Sequence, residues 1–383
     1  MTRYIYQRRI LRVLAASFDT IFGGFFRLFN RSAPLDAKEI PENPKIVFIR
    51  LDGIGDVLAS LKAARALKAR FPAGHLSTLV RRQVAELIDG LDFIDEVLTT
   101  DIDLYVSKPS MLKSMRYTKQ ISSLLKKTGT DIAIDPRGDP RIIWAMWRAR
   151  VPVRIGVNSA GAGFLLSASV DYLRQTPEFE HNLLVAALLG AEDDGTPLSL
   201  KPNQSTFAAL KERFEGLDEP FFVVHPSASM PSKIWPNDRF AEVIEVIAEK
   251  YGFLPVLIGG SDAAEIYNAI SEQSESRMLN LTGKTSLKEL VALLSEAKLF
   301  IGNDSGPAHI AAYTGIPTVI IFSGTNDAAV WRPPGDNVAV ISHDVDCAPC
   351  ERRECPEPKC LLEINTDEVV EAANSILELA RTT

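Results

Sequence analysis

Short apolar runs alternate with amphipathic stretches along most of this chain. Lys45–Leu51 reads Lys-Ile-Val-Phe-Ile-Arg-Leu, a run that predicts a buried strand. A turn at Gly53–Gly55 follows, then apolar positions at helical spacing over Val57–Arg70. Strand-like pieces recur at Leu76–Val80, Ile94–Leu98, Ile132–Asp135 and Val153–Val157, with helical patterns between them. After a polar helical stretch near Leu198–Gly216 the alternation restarts. Strands are predicted at Phe221–His225, Leu254–Ile258, Met278–Leu281, Lys298–Ile301 and Thr318–Phe322. Helices are predicted at Asp238–Lys250, Asp262–Ser271, Ser286–Ala297, Pro307–Thr314 and Thr366–Ala380. Such alternation implies an α/β protein with parallel sheets covered on both faces. At 383 residues the chain exceeds one ordinary core. Two doubly wound halves meeting across a cleft are therefore expected, over 45–200 and 220–365, joined by an interdomain segment at 201–219 and closed by a C-terminal helix at 366–383.

The N-terminus has a different pattern. Residues 1–31 carry Arg3, Arg8, Arg9, Arg12, Arg27 and Arg31 against one acid, Asp19, with many Leu, Ile, Val and Phe at helical spacing. A broad apolar face edged by arginines fits a helix lying in a membrane interface and drawn to anionic lipid. A helix docked on the protein's own surface fits the same pattern. Arg12 interrupts the apolar run, so a signal peptide is disfavoured. A polar, Pro-containing linker is expected at 32–44.

Composition narrows the classes. The net charge of −7 argues against general nucleic-acid binding, and no apolar run is long enough to span a bilayer. All four cysteines, Cys347, Cys350, Cys355 and Cys360, fall in one segment. The first pair has CxxC spacing, which suits a metal or a redox pair. A structural zinc site is one reading, and reduced thiols that shape a loop are the other. A chain without a signal peptide is expected in the cytoplasm, where stable disulfides are rare.

The candidate chemistry sits at predicted strand ends, where open α/β sheets place their ligands. Arg50-Leu51-Asp52-Gly53-Ile54-Gly55-Asp56 ends the first strand. It has Leu58 where a dinucleotide fingerprint has its third glycine, so a nicotinamide site is disfavoured. Asp56 is a candidate general base for an attacking hydroxyl, or a helix-capping aspartate. The loop from His225 to Pro236 offers Ser227, Ser229, Ser232 and Lys233 as an anion cradle. Gly259-Gly260-Ser261-Asp262 would let a ribose approach, with Asp262 accepting from its hydroxyls. Gly302-Asn303-Asp304-Ser305-Gly306-Pro307-Ala308-His309 is a strand, a Gly-rich turn and a helix start. Backbone N–H groups and the helix dipole there suit a phosphate, and Asp304, Ser305 and His309 suit sugar hydroxyls. A capped helix explains the same turn. Taken together, these sites would hold a nucleotide diphosphate opposite Asp56, a geometry for sugar transfer without a catalytic metal. Arg81, Arg82, Arg137, Arg141 and Arg154 are candidate contacts for an acidic acceptor.

At this point the motifs resemble glycosyltransferase family 9, the ADP-heptose:lipopolysaccharide heptosyltransferases. The likeness rests on Lys45–Val57, His225–Phe240, Leu281–Leu290, Gly302–Ala311 and Cys347–Leu361. It implies a GT-B fold, two Rossmann-like domains facing a cleft, with 45–200 for the acceptor and 220–365 for the nucleotide sugar. It implies inverting transfer of a heptose or related sugar from a nucleotide diphosphate donor, ADP-heptose, to a lipopolysaccharide core glycolipid. Carried over by position, Asp56 matches the base, Lys233 the lysine near the donor phosphates and Asp304 the aspartate at the donor sugar. Ser305 and Gly306 match backbone donors to the diphosphate, and His309 lies one helical turn further on. Some members carry a glutamate just after a glycine pair, where this chain has Ser261-Asp262. No cofactor is implied. The enzyme is expected in the cytoplasm, peripheral on the inner membrane. A nucleotide-sugar epimerase of similar build and a catalytically inactive sugar-binding member are the alternatives.

Overall fold

The computed structural model describes residues 16–17, 19–21, 23, 40–104, 110–202 and 204–382. The chain divides into two compact units, Met1–Thr196 and Pro197–Thr383.

The first unit is built on a six-stranded parallel sheet. Its strands are β1 (Lys45–Arg50), β2 (His75–Arg81), β3 (Glu96–Thr100), β4 (Ile132–Asp135), β5 (Val153–Val157) and β6 (Ala168–Val170), in the order β3-β2-β1-β4-β5-β6. Every pairing is parallel, with Val47 of β1 opposite Ser77 of β2 and Ala133 of β4. Helices α1 (Ile54–Arg70), α2 (Arg82–Ile88), α3 (Met111–Thr128), α4 (Pro140–Arg148) and α5 (Glu178–Ala187) connect or cover the strands. One face of the sheet packs Val47, Ile49, Leu79 and Ala133 against Ile121 and Leu125 of α3 and Ile142 and Met146 of α4. β1 and β4 are buried along nearly their whole length, as continuous Val/Ile runs in a doubly covered parallel sheet require.

The second unit repeats the plan. Its strands are β7 (Phe221–His225), β8 (Leu254–Leu257), β9 (Leu279–Asn280), β10 (Phe300–Asn303), β11 (Thr318–Ile321) and β12 (Val338–Ile341), in the order β12-β11-β10-β7-β8-β9, all parallel. Helices α6 (Gln204–Arg213), α7 (Asn237–Tyr251), α8 (Ala264–Ser271), α9 (Leu287–Glu296), α10 (Gly306–Thr314), α11 (Ala328–Trp331), α12 (Lys359–Leu362) and α13 (Thr366–Thr382) follow in chain order. Trp235, fully buried, stands edge-on to Phe240 at 5.0 Å and donates its indole N–H to the Ile364 carbonyl. Counted from the first strand of each unit, both sheets run 3-2-1-4-5-6, the doubly wound order of dinucleotide-binding folds.

The α/β class and the alternation agree with the expectation, and most strands fall within two residues of their predicted bounds. Two strands had no counterpart in the sequence reading, β6 and β12. Both are sheet edges; β6 has three residues with none fully buried and no strong apolar run, whereas β12 is a four-residue apolar run, Val-Ala-Val-Ile, too short for periodicity to separate strand from helix. α1 begins at Ile54 rather than Val57, so Gly55 lies inside the helix and only Gly53 precedes it.

Most of the N-terminal amphipathic segment 1–31 and of the linker 32–44 lies outside the described residues. Ala16, Ser17, Asp19, Thr20, Ile21 and Gly23 are helical. Asp19 accepts from the Ala162 N–H at 2.8 Å, so that part of the segment touches the first unit. No helix among the described residues is long and apolar enough to cross a membrane.

Candidate active site

Strand order reverses between β1 and β4 in the first unit and between β7 and β10 in the second. The loops leaving two such strands diverge to opposite faces and open a crevice at their carboxyl ends. Each unit carries a dense polar cluster at that crevice.

In the first unit β1 ends at Arg50, 1% exposed, and a guanidinium so placed needs partners on every side. Its Nε lies 3.1 Å from Asp52 Oδ1, and Nη2 reaches Asp56 Oδ1 at 3.3 Å and Glu178 Oε1 at 3.1 Å. Nη1 donates to Asn182 Oδ1 at 3.3 Å. Glu178 and Asn182 come from the first turns of α5, which packs along α1. Burial works against the Arg50 charge, but Asp52, Glu178 and Asp56 more than offset it and raise its pKa.

Asp56 is the third residue of α1, and its Oδ2 accepts from the Gly53 N–H at 2.9 Å. It therefore does cap the helix, from inside the first turn. Its Oδ1 faces Arg50 and lies 3.9 Å from Arg137 Nη1. Burial, followed by the negative charges of Asp52 and Glu178, outweighs the pull of Arg50 and Arg137, and the carboxyl is pushed up to about 7. A carboxylate in that range is matched to proton transfer near neutral pH.

Arg137 reaches this cluster because the chain turns tightly after β4. Gly138 has φ +71°, and a Cβ there would sit 2.2 Å from the Val157 carbonyl oxygen, so no other residue fits the turn. Asp135, fully buried, accepts from the N–H groups of Arg137 and Asp139 at 3.2 and 2.8 Å. Arg137 Nη1 then donates to Asp52 Oδ2 at 3.0 Å. The other candidate acceptor arginines are distributed. Arg81 ends β2, with a buried Nε that has no hydrogen-bond partner. Arg82 pairs with Asp101 at 2.9 Å, both well exposed. Arg141 is clamped on Asp139. Arg154 donates to the carbonyls of Leu165 and Val151 at 2.6 Å each, so it holds its own unit together and is not a free contact.

In the second unit the loop after β7 is fastened to the end of β10 by Asn303. Its Oδ1 accepts from the Trp235 N–H at 3.1 Å and its Nδ2 donates to the Pro226 carbonyl at 2.8 Å, both buried. Lys233, in a single 3-10 turn over Pro231–Lys233, donates to Asp304 Oδ2 at 2.5 Å. Asn326 Nδ2 donates to the same oxygen at 2.9 Å. Lys233 and Asp304 are 8% and 6% exposed, so the lysine's position is fixed by a buried ion pair. Its ammonium has two further protons for another acceptor.

His225 ends β7 and holds two hydroxyls, Ser227 Oγ at 3.1 Å from Nε2 and Ser305 Oγ at 3.0 Å from Nδ1. Burial lowers its pKa to about 4 despite the nearby Asp262 charge, so the imidazole is neutral near pH 7. Ser305 occupies the N-cap position of α10, yet its side chain makes no capping bond, because His225 takes the hydroxyl. The helix start is thus left without a side-chain cap. His309, one turn further, is buried with an orphaned Nδ1, and burial lowers its pKa. Gly302, the first glycine of the Gly-rich turn, does not open space for a ligand. Instead, a Cβ there would meet the His225 carbonyl at 2.9 Å, so this glycine lets β10 approach β7. Asp262 and Ser229 are exposed, Asp262 in the 3-10 turn Ser261–Ala263 and Ser229 on the loop.

The four thiols are free, and they line one cavity of about 490 Å³ with Ser232, Gly324 and Thr325. Among the described residues no three His, Cys, Asp or Glu side chains are grouped to hold a metal. Of the four, Cys347 is exposed and Cys360 sits in the hydrophobic core, with Cys350 and Cys355 between these extremes. Backbone bonds fix this segment, from Cys350 N to Gly324 O and from Ser232 N to Arg353 O, so it buttresses the Lys233 turn.

Arg50, Glu178, Asn182, Asn303 and Asn326 had no assigned role in the sequence reading. One signal was present: an arginine closing an otherwise apolar buried strand needs acids from elsewhere in the fold.

A family model described as glycosyltransferase family 9 (heptosyltransferase) matches residues 119–361. Lipopolysaccharide heptosyltransferase 3 of Escherichia coli K12 is 33% identical over 164 residues, which are 42% of this chain and 47% of that protein. The chain thus spans about half the length of that curated relative. A glycosyltransferase family 9 crystal structure from Veillonella parvula superposes with a TM-score of 0.73 at 21% identity, covering 87% of this chain and 97% of that one. The structure of E. coli ADP-heptose lipopolysaccharide heptosyltransferase II gives a TM-score of 0.70 at 20% identity, covering 88% and 99%. The fold is that of these GT-B proteins, two Rossmann-like α/β domains.

Proposed function

The chain belongs to glycosyltransferase family 9, the heptosyltransferases, and from that premise we propose that it moves a heptose, or a related sugar, from a nucleotide diphosphate donor to a lipopolysaccharide core acceptor. ADP-heptose is the donor of choice, since the similar E. coli structure carries that name. The transfer inverts the anomeric carbon and uses no metal. The acceptor hydroxyl gives its proton to the Asp56 carboxylate, and its oxygen attacks the anomeric carbon. The bond from that carbon to the diphosphate oxygen breaks, and the diphosphate leaves with the electron pair. Lys233 and the N–H groups opening α10 meet the charge on the leaving group. Asp304 and His309 bind the donor sugar, Ser229, Ser305 and Gly306 the diphosphate, and Asp262 the ribose. Arg81, Arg82, Arg137 and Arg141 bind an acidic or phosphorylated acceptor.

The single observation that carries this reading is Asp56, a carboxyl at the strand-order reversal whose pKa is pushed to about 7. The acceptor class and the basic apolar segment 1–31 support a cytoplasmic enzyme peripheral on the inner membrane, in contact with anionic lipid. The test is incubation with ADP-heptose and extracted core glycolipid, read by product mass. A glycolipid heavier by one heptose, with no altered sugar when donor is incubated alone, is expected. Epimerised donor without acceptor would point to the epimerase instead, and donor binding with no product under any acceptor would point to an inactive member.

A further inference from the structure

Helix α3 (Met111–Thr128) presents an apolar first turn that the fold does not use. Met111, Leu112 and Met115 are 81%, 80% and 63% exposed. The helix is attached through another face, where Thr118, Ile121, Ser122 and Leu125 are buried and Ile121 and Leu125 join the core. Its other exposed positions are cationic apart from Gln120 and Ser123. Lys113, Arg116, Lys119, Lys126 and Lys127 are all exposed, and the helix has no acid. In a chain of net charge −7 this is a local reversal of sign.

We propose that α3 docks on an anionic phospholipid surface, with Met111, Leu112 and Met115 entering the interface and the cations behind them meeting headgroup phosphates. The inference rests on the membrane-peripheral reading above and names a surface for it. Burial of an apolar face and attraction to anionic lipid are the two terms of interfacial binding, and α3 supplies both. At about 100° per residue Met111 and Met115 point within about 40° of each other, and Lys119 and Lys126 project between Met115 and Leu112. Lys119 and Lys126 therefore share the apolar side of the helix, and Arg116 lies about 40° beyond Leu112. Charge complementarity selects lipid over a second copy of this acidic chain. Stable attachment of peripheral proteins takes two weak signals, and residues 1–31 are the other candidate.

Full-length protein is sedimented with vesicles of phosphatidylcholine alone and with phosphatidylglycerol added. Two surface variants are compared, Met111→Ser/Leu112→Ser/Met115→Ser and Lys113→Glu/Arg116→Glu/Lys119→Glu, each checked for wild-type circular dichroism and melting. Wild type is expected to partition onto the anionic vesicles and to show slowed amide exchange over residues 110–119 when bound. Each variant is expected to lose about tenfold in partition, while transfer to detergent-dispersed glycolipid is kept. Undiminished partition by both variants, or unchanged exchange over 110–119, overturns the proposal, as does concentration-dependent self-association through this turn. Wild type that binds vesicles through α3 but transfers no sugar supports the docking surface and counts against the enzymatic reading alone.

Discussion

Asp56 draws its properties from residues far away in sequence. Its partner Arg50 is six positions off, but Arg50 is held by Glu178, 128 residues further on. The aspartate was legible in the sequence because it follows a strand end, whereas the charge balance around it is a product of tertiary packing. Two predictions belong here. Below about pH 7 Asp56 holds its proton and cannot accept one, so transfer should fall with decreasing pH along a limb of apparent pKa near 7, measured as kcat/KM. Glu178→Gln removes a negative charge that raises Asp56, so the limb should move to lower pH; an unmoved limb would remove Glu178 from the network. The same shift acts on stability. The fold binds this proton more tightly than the unfolded chain does, so the contribution is present at low pH and lost as pH rises through about 7. Asp56→Asn should therefore melt with a shallower decline between about pH 4 and 7 than wild type.

At the scale of elements, the loops leaving β4, β7 and β10 are held by side chains rather than by regular structure. Asn303 illustrates this, since one amide ties Trp235 N–H and Pro226 C=O to the end of β10. Asn303→Ala leaves both groups buried and unpaired, and we expect a loss of about 2–4 kcal/mol in denaturant unfolding, together with weaker donor binding. Gly138→Ala meets the Val157 carbonyl at a positive φ. It should destabilise the first unit and release Arg137 from Asp52, read as lower stability and a shifted pH limb. The sequence showed where these loops lie, because Gly, Pro and Ser punctuate the apolar runs. It did not show that Gly302 serves strand packing, since a glycine beside a strand reads the same for a ligand and for a neighbouring backbone. The edge strands β6 and β12 escaped for different reasons: β6 is three half-buried residues, and the apolar run of β12, Val-Ala-Val-Ile, is too short for periodicity to mark it as a strand.

On the scale of the whole molecule, one topology is used twice. Each unit runs 3-2-1-4-5-6, and each reversal gathers the polar residues that strand-end motifs had marked. The alternation of strand and helix made this doubling legible, because parallel sheets covered on both faces leave long apolar runs separated by amphipathic helices. The family match begins at residue 119, so the Asp56 segment stands on its own geometry and on the expectation drawn from Lys45–Val57. The most direct measurement is therefore made on Asp56→Ala, comparing calorimetric affinity for ADP-heptose with turnover on core glycolipid. The account predicts near-normal donor affinity with turnover reduced roughly 10²–10⁴-fold. Turnover close to wild type, with donor affinity unchanged, would contradict it.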